Sequence, residues 1–352
     1  MTTIYNHTSP FTVESGETLP GFHLAYTTHG KLNAAKDNVV WIFHALTANS
    51  NPVEWWPGLV GDGKYLDPAK HFIICVNKPG SPYGSISPLS KNPATGEPYY
   101  NNFPVFTIRD MIKTYQYLKD HLGISKIFIG LGGSTGGMQL LEWAIEEPGL
   151  FEHIVPIATN AVLSPWGIAF NATQRMAIEA DTTWQDHHQE AGQKGLAAAR
   201  AMALLSYRHY TGFDITQRRD KAFVPLTEDV RYAADNYQRY QGLKLVNRFN
   251  ALCYYRLSQS MDSHDVGRNR NGVDAALKTI KAKTLVIGIT SDVLYPISEQ
   301  EYLQQTIPGA QLLSIHSEYG HDGFLLEYEK IETALTKFID EKRSSYLKIV
   351  ND

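Results

Sequence analysis

The stretch KIFIGLGGSTGGMQLLEWA, residues 126–144, decides the fold. It begins with an apolar run, Ile127-Phe-Ile129, and ends in residues 138–145, whose apolar positions recur at helical spacing. Between them, two glycine pairs flank Ser134 and Thr135. Gly132-Gly-Ser-Thr-Gly136 therefore reads as G-x-S-x-G at a strand-to-helix seam, the pattern of a nucleophile elbow. A serine held in such a tight, strained turn stands clear of the sheet, and its neighbours must be small. The first amides of the following helix face the same point, where negative charge can develop. A phosphate-cradling loop would instead end in Gly-Lys-Ser/Thr, which Gly136-Gly-Met138 does not supply.

On either side of this stretch the pattern alternates. Residues 39–43 (VVWIF) and 72–76 (FIICV) are continuous apolar runs, as expected of strands buried on both faces. Residues 107–122 repeat apolar side chains at helical spacing, and residues 154–157 form another strand. Alternating strands and helices predict a parallel sheet with crossover helices. From about residue 160 to 276 no strand is expected; residues 195–205 (GLAAARAMALL) are strong helix formers. Strand signals return at 284–289 and 311–315, and a closing helix is expected at about 328–343. The expectation is an α/β core formed by residues 1–165 and 277–352, interrupted by a helical lid at 166–276.

Composition narrows the function classes. With 352 residues the chain can bury a large core and carry an insertion. A net charge of −4 gives no reason to expect nucleic acid or an anionic membrane as partner. No apolar stretch reaches the roughly 18 residues of a membrane span. The first residues lack a secretory signal pattern, and two cysteines form neither a disulfide framework nor a metal motif, so a reducing cytoplasm is the expected setting.

A serine nucleophile needs a base, and the base needs an orienting acid. In this architecture the chain order is Ser, then Asp or Glu, then His. The buried strand at 284–289 runs into Asp292, which falls at the sheet's ligand edge. His321 lies on a loop after the last strand; its rival His316 lies within the strand pattern. An oxyanion hole would use the backbone amide of Thr135 and one from the loop His44-Ala-Leu-Thr47, where Leu46 is the candidate.

These residues, taken with others, carry a resemblance. His44-Ala-Leu-Thr47, Trp55-Trp56-Pro-Gly, Tyr83-Gly-Ser85, Asn92-Pro-Ala-Thr-Gly96, residues 103–110 (FPVFTIRD), Gly132-Gly-Ser-Thr-Gly-Gly-Met-Gln139 and Tyr319-Gly-His-Asp322 recur in that order. The chain resembles the homoserine O-acyltransferases of the α/β-hydrolase type, most often homoserine O-acetyltransferases of methionine biosynthesis. The match runs from about residue 26 to 337. It implies an α/β-hydrolase fold with a mostly parallel sheet, an inserted helical lid, and a homodimer formed through the lid helices. It implies ping-pong acyl transfer, with Ser134, His321 and Asp292 as the triad. Acetyl-CoA or succinyl-CoA would be the donor and L-homoserine the acceptor, with no permanently bound cofactor and no metal. It also implies that Asp322 holds the substrate amine, Arg208 its carboxylate, and that Tyr237 contributes. A zwitterion needs such a pair of opposite charges, and Arg binds carboxylates bidentately.

Several positions depart from the family pattern. Thr135 replaces a methionine, Ala48 a glycine and Asn250 a common aspartate. The stretch Asn77-Lys-Pro-Gly-Ser-Pro-Tyr83 replaces a more apolar, glycine-rich version. These changes leave the donor open between acetyl and succinyl. The alternative class is an esterase or deacetylase with water as acceptor; a simple esterase needs no zwitterion clamp. Asp186-His-His-Gln-Glu190 and Met261-Asp-Ser-His-Asp265 look metal-like but lack a third ligand at known spacing, and are expected to be solvated helix faces, with residues 262–267 structural in the insertion.

Overall fold

A computed structural model describes residues 2–339; the expected helix end at 340–343 lies outside them. Ten strands are found among the described residues. They are β1 (Thr2–His7), β2 (Phe11–Thr12), β3 (Thr18–Leu19), β4 (Phe22–His29), β5 (Val39–Phe43), β6 (Phe72–Val76), β7 (Ile127–Gly133), β8 (Phe151–Ile157), β9 (Lys283–Ile289) and β10 (Gln311–Ile315). Eight form one sheet in the order β1-β4-β6-β5-β7-β8-β9-β10; β2 and β3 pair separately. From β6 to β10 every pairing is parallel, and β1 and β4 add an antiparallel edge. Residues of β5 are all buried, which is why that strand reads as an unbroken apolar run rather than an alternating one.

The helices are α1 (Pro52–Trp55), α2 (Ile108–His121), α3 (Thr135–Glu146), α4 (Pro165–Glu179), α5 (Gln193–Tyr207), α6 (Tyr210–Thr216), α7 (Ala233–Val246), α8 (Ala251–Asp262), α9 (Val273–Leu277), α10 (Ile297–Thr306), α11 (Gly323–Leu326) and α12 (Tyr328–Ile339). Helix α2 starts where its sequence dictates. The Thr107 hydroxyl accepts from the Asp110 N–H, and the Asp110 carboxylate accepts from the Thr107 N–H, a reciprocal cap. Helix α3 begins three residues before the apolar periodicity does, because glycines 136 and 137 carry no side chain to reveal the period.

Between β8 and β9 the regular elements among the described residues are helices, α4 to α9, and α5 packs on both α4 and α7. Two short segments differ from expectation. Residues 186–190 are exposed, but in turns rather than on a helix. His264 is buried, not solvated: its Nε2 meets the Asn160 carbonyl at 2.9 Å, and Val162 and Asp265 form a β-bridge. That segment closes the insertion against the exit of β8, which is why a polar-looking run is drawn inside. Among the described residues no cluster could hold a metal ion, and no helix is long and apolar enough to cross a membrane.

Candidate active site

The site lies at the carboxyl ends of the parallel strands. Ser134 caps α3 with φ 57° and ψ −125°, a positive φ that a side chain rarely adopts. Close packing holds it there. A Cβ at Gly132 would fall 2.3 Å from the Gly136 carbonyl oxygen, and one at Gly136 would fall 2.1 Å from that of Phe43. The Ser134 N–H donates to the Ile157 carbonyl at 2.9 Å, and the Thr159 hydroxyl donates to the Ser134 carbonyl at 2.9 Å. The strain at the serine is thus fixed from β5, β8 and the turn after it.

Asp292 follows β9 and is 4% exposed. Its Oδ1 accepts from the Leu294 N–H at 2.8 Å and the Tyr295 N–H at 3.0 Å, which turns Oδ2 toward His321. The His321 Nδ1 lies 2.6 Å from that oxygen. Burial pushes the imidazole toward its neutral form, but the Asp292 carboxylate outweighs burial, and the His321 pKa is raised. Tyr295, Tyr207 and Phe324 place their rings 5.2, 5.6 and 5.3 Å from the imidazole. His316 lies just past β10, exposed, with Thr290 as its side-chain partner at 3.3 Å.

Ser134, His321, Asp322 and Leu46 line one cavity of about 430 Å³, together with Trp55, Arg200, Tyr207 and Arg248. Trp55 stacks on the buried Trp56, whose indole donates to the Phe324 carbonyl at 3.1 Å. Among the described residues neither the Leu46 nor the Thr135 N–H donates to a protein acceptor. Arg208, at the end of α5, donates to Asp322 and lies 3.0 and 3.2 Å from the Tyr237 hydroxyl. Burial disfavours the guanidinium charge, yet Asp322 and then Tyr237 raise the Arg208 pKa. The structure thus brings the three expected substrate residues together, with Asp322 facing the serine cavity and Arg208 and Tyr237 lining a second one.

An α/β-hydrolase-fold family model matches residues 38–328. A homoserine O-acetyltransferase of Cyclobacterium marinum is 49% identical over 328 residues, covering 93% of this chain and 92% of the relative. The chain belongs to the homoserine O-acetyltransferase family. Among solved structures, a homoserine O-acetyltransferase from Bacillus anthracis shares the fold at TM-score 0.87 and 24% identity, covering 96% of this chain and 97% of that one. Esterase E22 shares it equally, at TM-score 0.87 and 24% identity, over 96% of this chain and 99% of that one. The fold alone therefore does not separate transfer from hydrolysis.

Sequence reasoning missed Lys78, Arg200, Tyr207, Arg248 and Tyr295. Lys78 sits between Asn77 and Pro79, where a lysine reads as solvated; it is 2% exposed. Tyr295 follows Asp292 by three residues, a spacing that does place its N–H on the carboxylate.

Proposed function

We propose that this protein is an acetyl-CoA:L-homoserine O-acetyltransferase that works by a ping-pong route through an acetyl-serine. Ser134 attacks the thioester carbonyl while its proton passes to His321 Nε2. Asp292, bonded to Nδ1, stabilises the imidazolium. The tetrahedral oxygen receives the N–H groups of Leu46 and Thr135. Collapse breaks the C–S bond, and the thiol leaves with the proton from His321. The homoserine hydroxyl then gives its proton to His321 and attacks the acetyl-serine; collapse restores Ser134 and releases the O-acetyl ester.

The observation that carries the acceptor assignment is the pairing beside His321. Asp322 is next in the chain to the base, lines the serine cavity, and is bonded to Arg208. One carboxylate and one guanidinium at the base match the ammonium and carboxylate of an amino acid, and without substrate they neutralise each other. An ester hydrolase acting on water has no use for them. The identity of the close relatives favours acetyl over succinyl as donor. We also propose a homodimer, supported by the apolar side chains that the insertion exposes.

The decisive experiment supplies purified protein with acetyl-CoA or succinyl-CoA, each with and without L-homoserine, and follows free CoA. Release that needs homoserine and prefers acetyl-CoA is expected. Release independent of homoserine would make water the acceptor and overturn the transferase reading.

A further inference from the structure

Lys78 lies in the loop after β6 and does not line the cavity. Its Nζ donates to the His44 carbonyl at 2.8 Å and to the Thr135 hydroxyl at 3.1 Å. Its own N–H donates to His44 Nε2 at 3.3 Å. The other ring nitrogen of His44, Nδ1, donates to the Ala45 carbonyl at 2.8 Å, which fixes the tautomer that leaves Nε2 free to accept. One lysine therefore grips both sides of the oxyanion hole. His44 opens the loop that carries Leu46, and Thr135 directly follows the nucleophile. Among the described residues no carboxylate pairs with Lys78.

We propose that Lys78 is a positioning residue of the acyl-transfer site. It ties the Leu46 loop to Thr135 and sets an unpaired positive charge behind the point where the tetrahedral oxyanion forms. This inference rests on the acyl-serine reading of Ser134. A buried ammonium without a counter-ion destabilises the resting protein, because burial removes its hydration. The same charge becomes favourable when an oxyanion develops a residue away, in a site that excludes water. The arrangement therefore discriminates between ground and transition states rather than binding both alike.

The pH behaviour follows. Burial pushes the Lys78 pKa down to about 7. The titratable groups facing it are Cys75, on β6, and His44, after β5. Burial raises the Cys75 thiol, and burial together with Lys78 lowers His44, so both stay neutral around pH 7. Acylation should therefore rise with pH as His321 loses its proton and fall again as Lys78 loses its own.

The test is Lys78→Met in the full chain, with p-nitrophenyl acetate reporting acylation across pH. Loss of roughly 10- to 100-fold in acylation kcat/KM is expected, together with loss of the alkaline limb. Thermal stability supplies a second readout. The folded pKa lies below the unfolded one, so the lysine destabilises most below about pH 7 and less as pH rises. Lys78→Met should then equal or exceed the parent in Tm at low pH, with the difference shrinking toward alkaline pH. A lower Tm with an unchanged pH profile would make Lys78 a structural tie only and overturn the proposal. Thr135→Val, which removes one acceptor and keeps the charge, should retain the alkaline limb. Its loss in that variant would also count against the proposal. Ser134→Ala separates the two readings: acylation surviving there refutes the acyl-serine, whereas acylation lost there but normal in Lys78→Met refutes this inference alone.

Discussion

At the scale of single residues, the chemistry depends on which protonation state each environment favours. In the proposed mechanism His321 accepts a proton from Ser134 only when neutral. Burial lowers its pKa but the carboxylate partner outweighs burial and raises it, so activity is expected to fall as pH drops through a value above that of a free imidazole. In Asp292→Asn the raising charge is gone and burial prevails, which moves the acid limb of kcat/KM to lower pH. An amide facing Nδ1 also favours the wrong tautomer, so kcat should drop on the order of 10⁴-fold. A pH–rate series on the variant checks both; an unmoved acid limb would refute the assignment of that limb to His321. The strand-end positions of Ser134 and Asp292, and the loop position of His321, were legible because strained turns and buried strands impose visible residue choices. Lys78 was not legible. Its burial follows from the loop folding back against His44 and Thr135, contacts 34 and 57 residues away in sequence. Two departures from the family pattern, at Thr135 and in the Asn77–Tyr83 stretch, looked unrelated and are one hydrogen bond in space.

At the scale of elements, the elbow works because α3 is driven hard against β5. The 2.1 Å approach at Gly136 is to backbone, which cannot swing aside as a side chain could. Gly136→Ala should therefore push the start of α3 outward, destabilise the fold by about 1–3 kcal/mol, and lower kcat by displacing the Thr135 amide. Gly149→Ala is the matched control: nothing lies within 4 Å of its added carbon, so stability should stay within about 0.5 kcal/mol. Denaturant unfolding of the two variants decides the point, and equal midpoints would contradict the close-packing account. The same glycines explain why the onset of α3 was hidden from periodicity, which needs side chains to count. The antiparallel strands β1 and β4 were likewise faint in sequence. In β1 exposed residues predominate, so no apolar run announces it, and its place is set by pairing with β4.

At the scale of the whole molecule, the segment between β8 and β9 lines the serine cavity through Arg200, Tyr207 and Arg248 and also presents outer surface. Its alternation with the core was legible, because strand signals stop after β8 and return at β9, and residues rich in Ala, Gln and Arg fill the gap with helices. What those helices meet was not legible, since an apolar residue at helical spacing reads the same whether it faces a core or a partner. The structure shows which of them leave the core: Met176 and Leu205 are each 65% exposed, Tyr210 is 81% exposed and Ile215 60% exposed. Scattered apolar side chains are ordinary on a surface, but these large ones, on α4, α5 and α6, are where the proposed dimer is tested. Light scattering during gel filtration should give twice the 39.5 kDa mass of the chain. Leu205→Asp should shift that mass toward one chain at low micromolar concentration. Because Leu205 lies three residues before Arg208, dissociation should also loosen the α5 end that holds Asp322, raising the homoserine KM more than the acetyl-CoA KM. A parent protein that runs as a single chain at every concentration would remove the dimer from the proposal while leaving the chemistry at Ser134 intact.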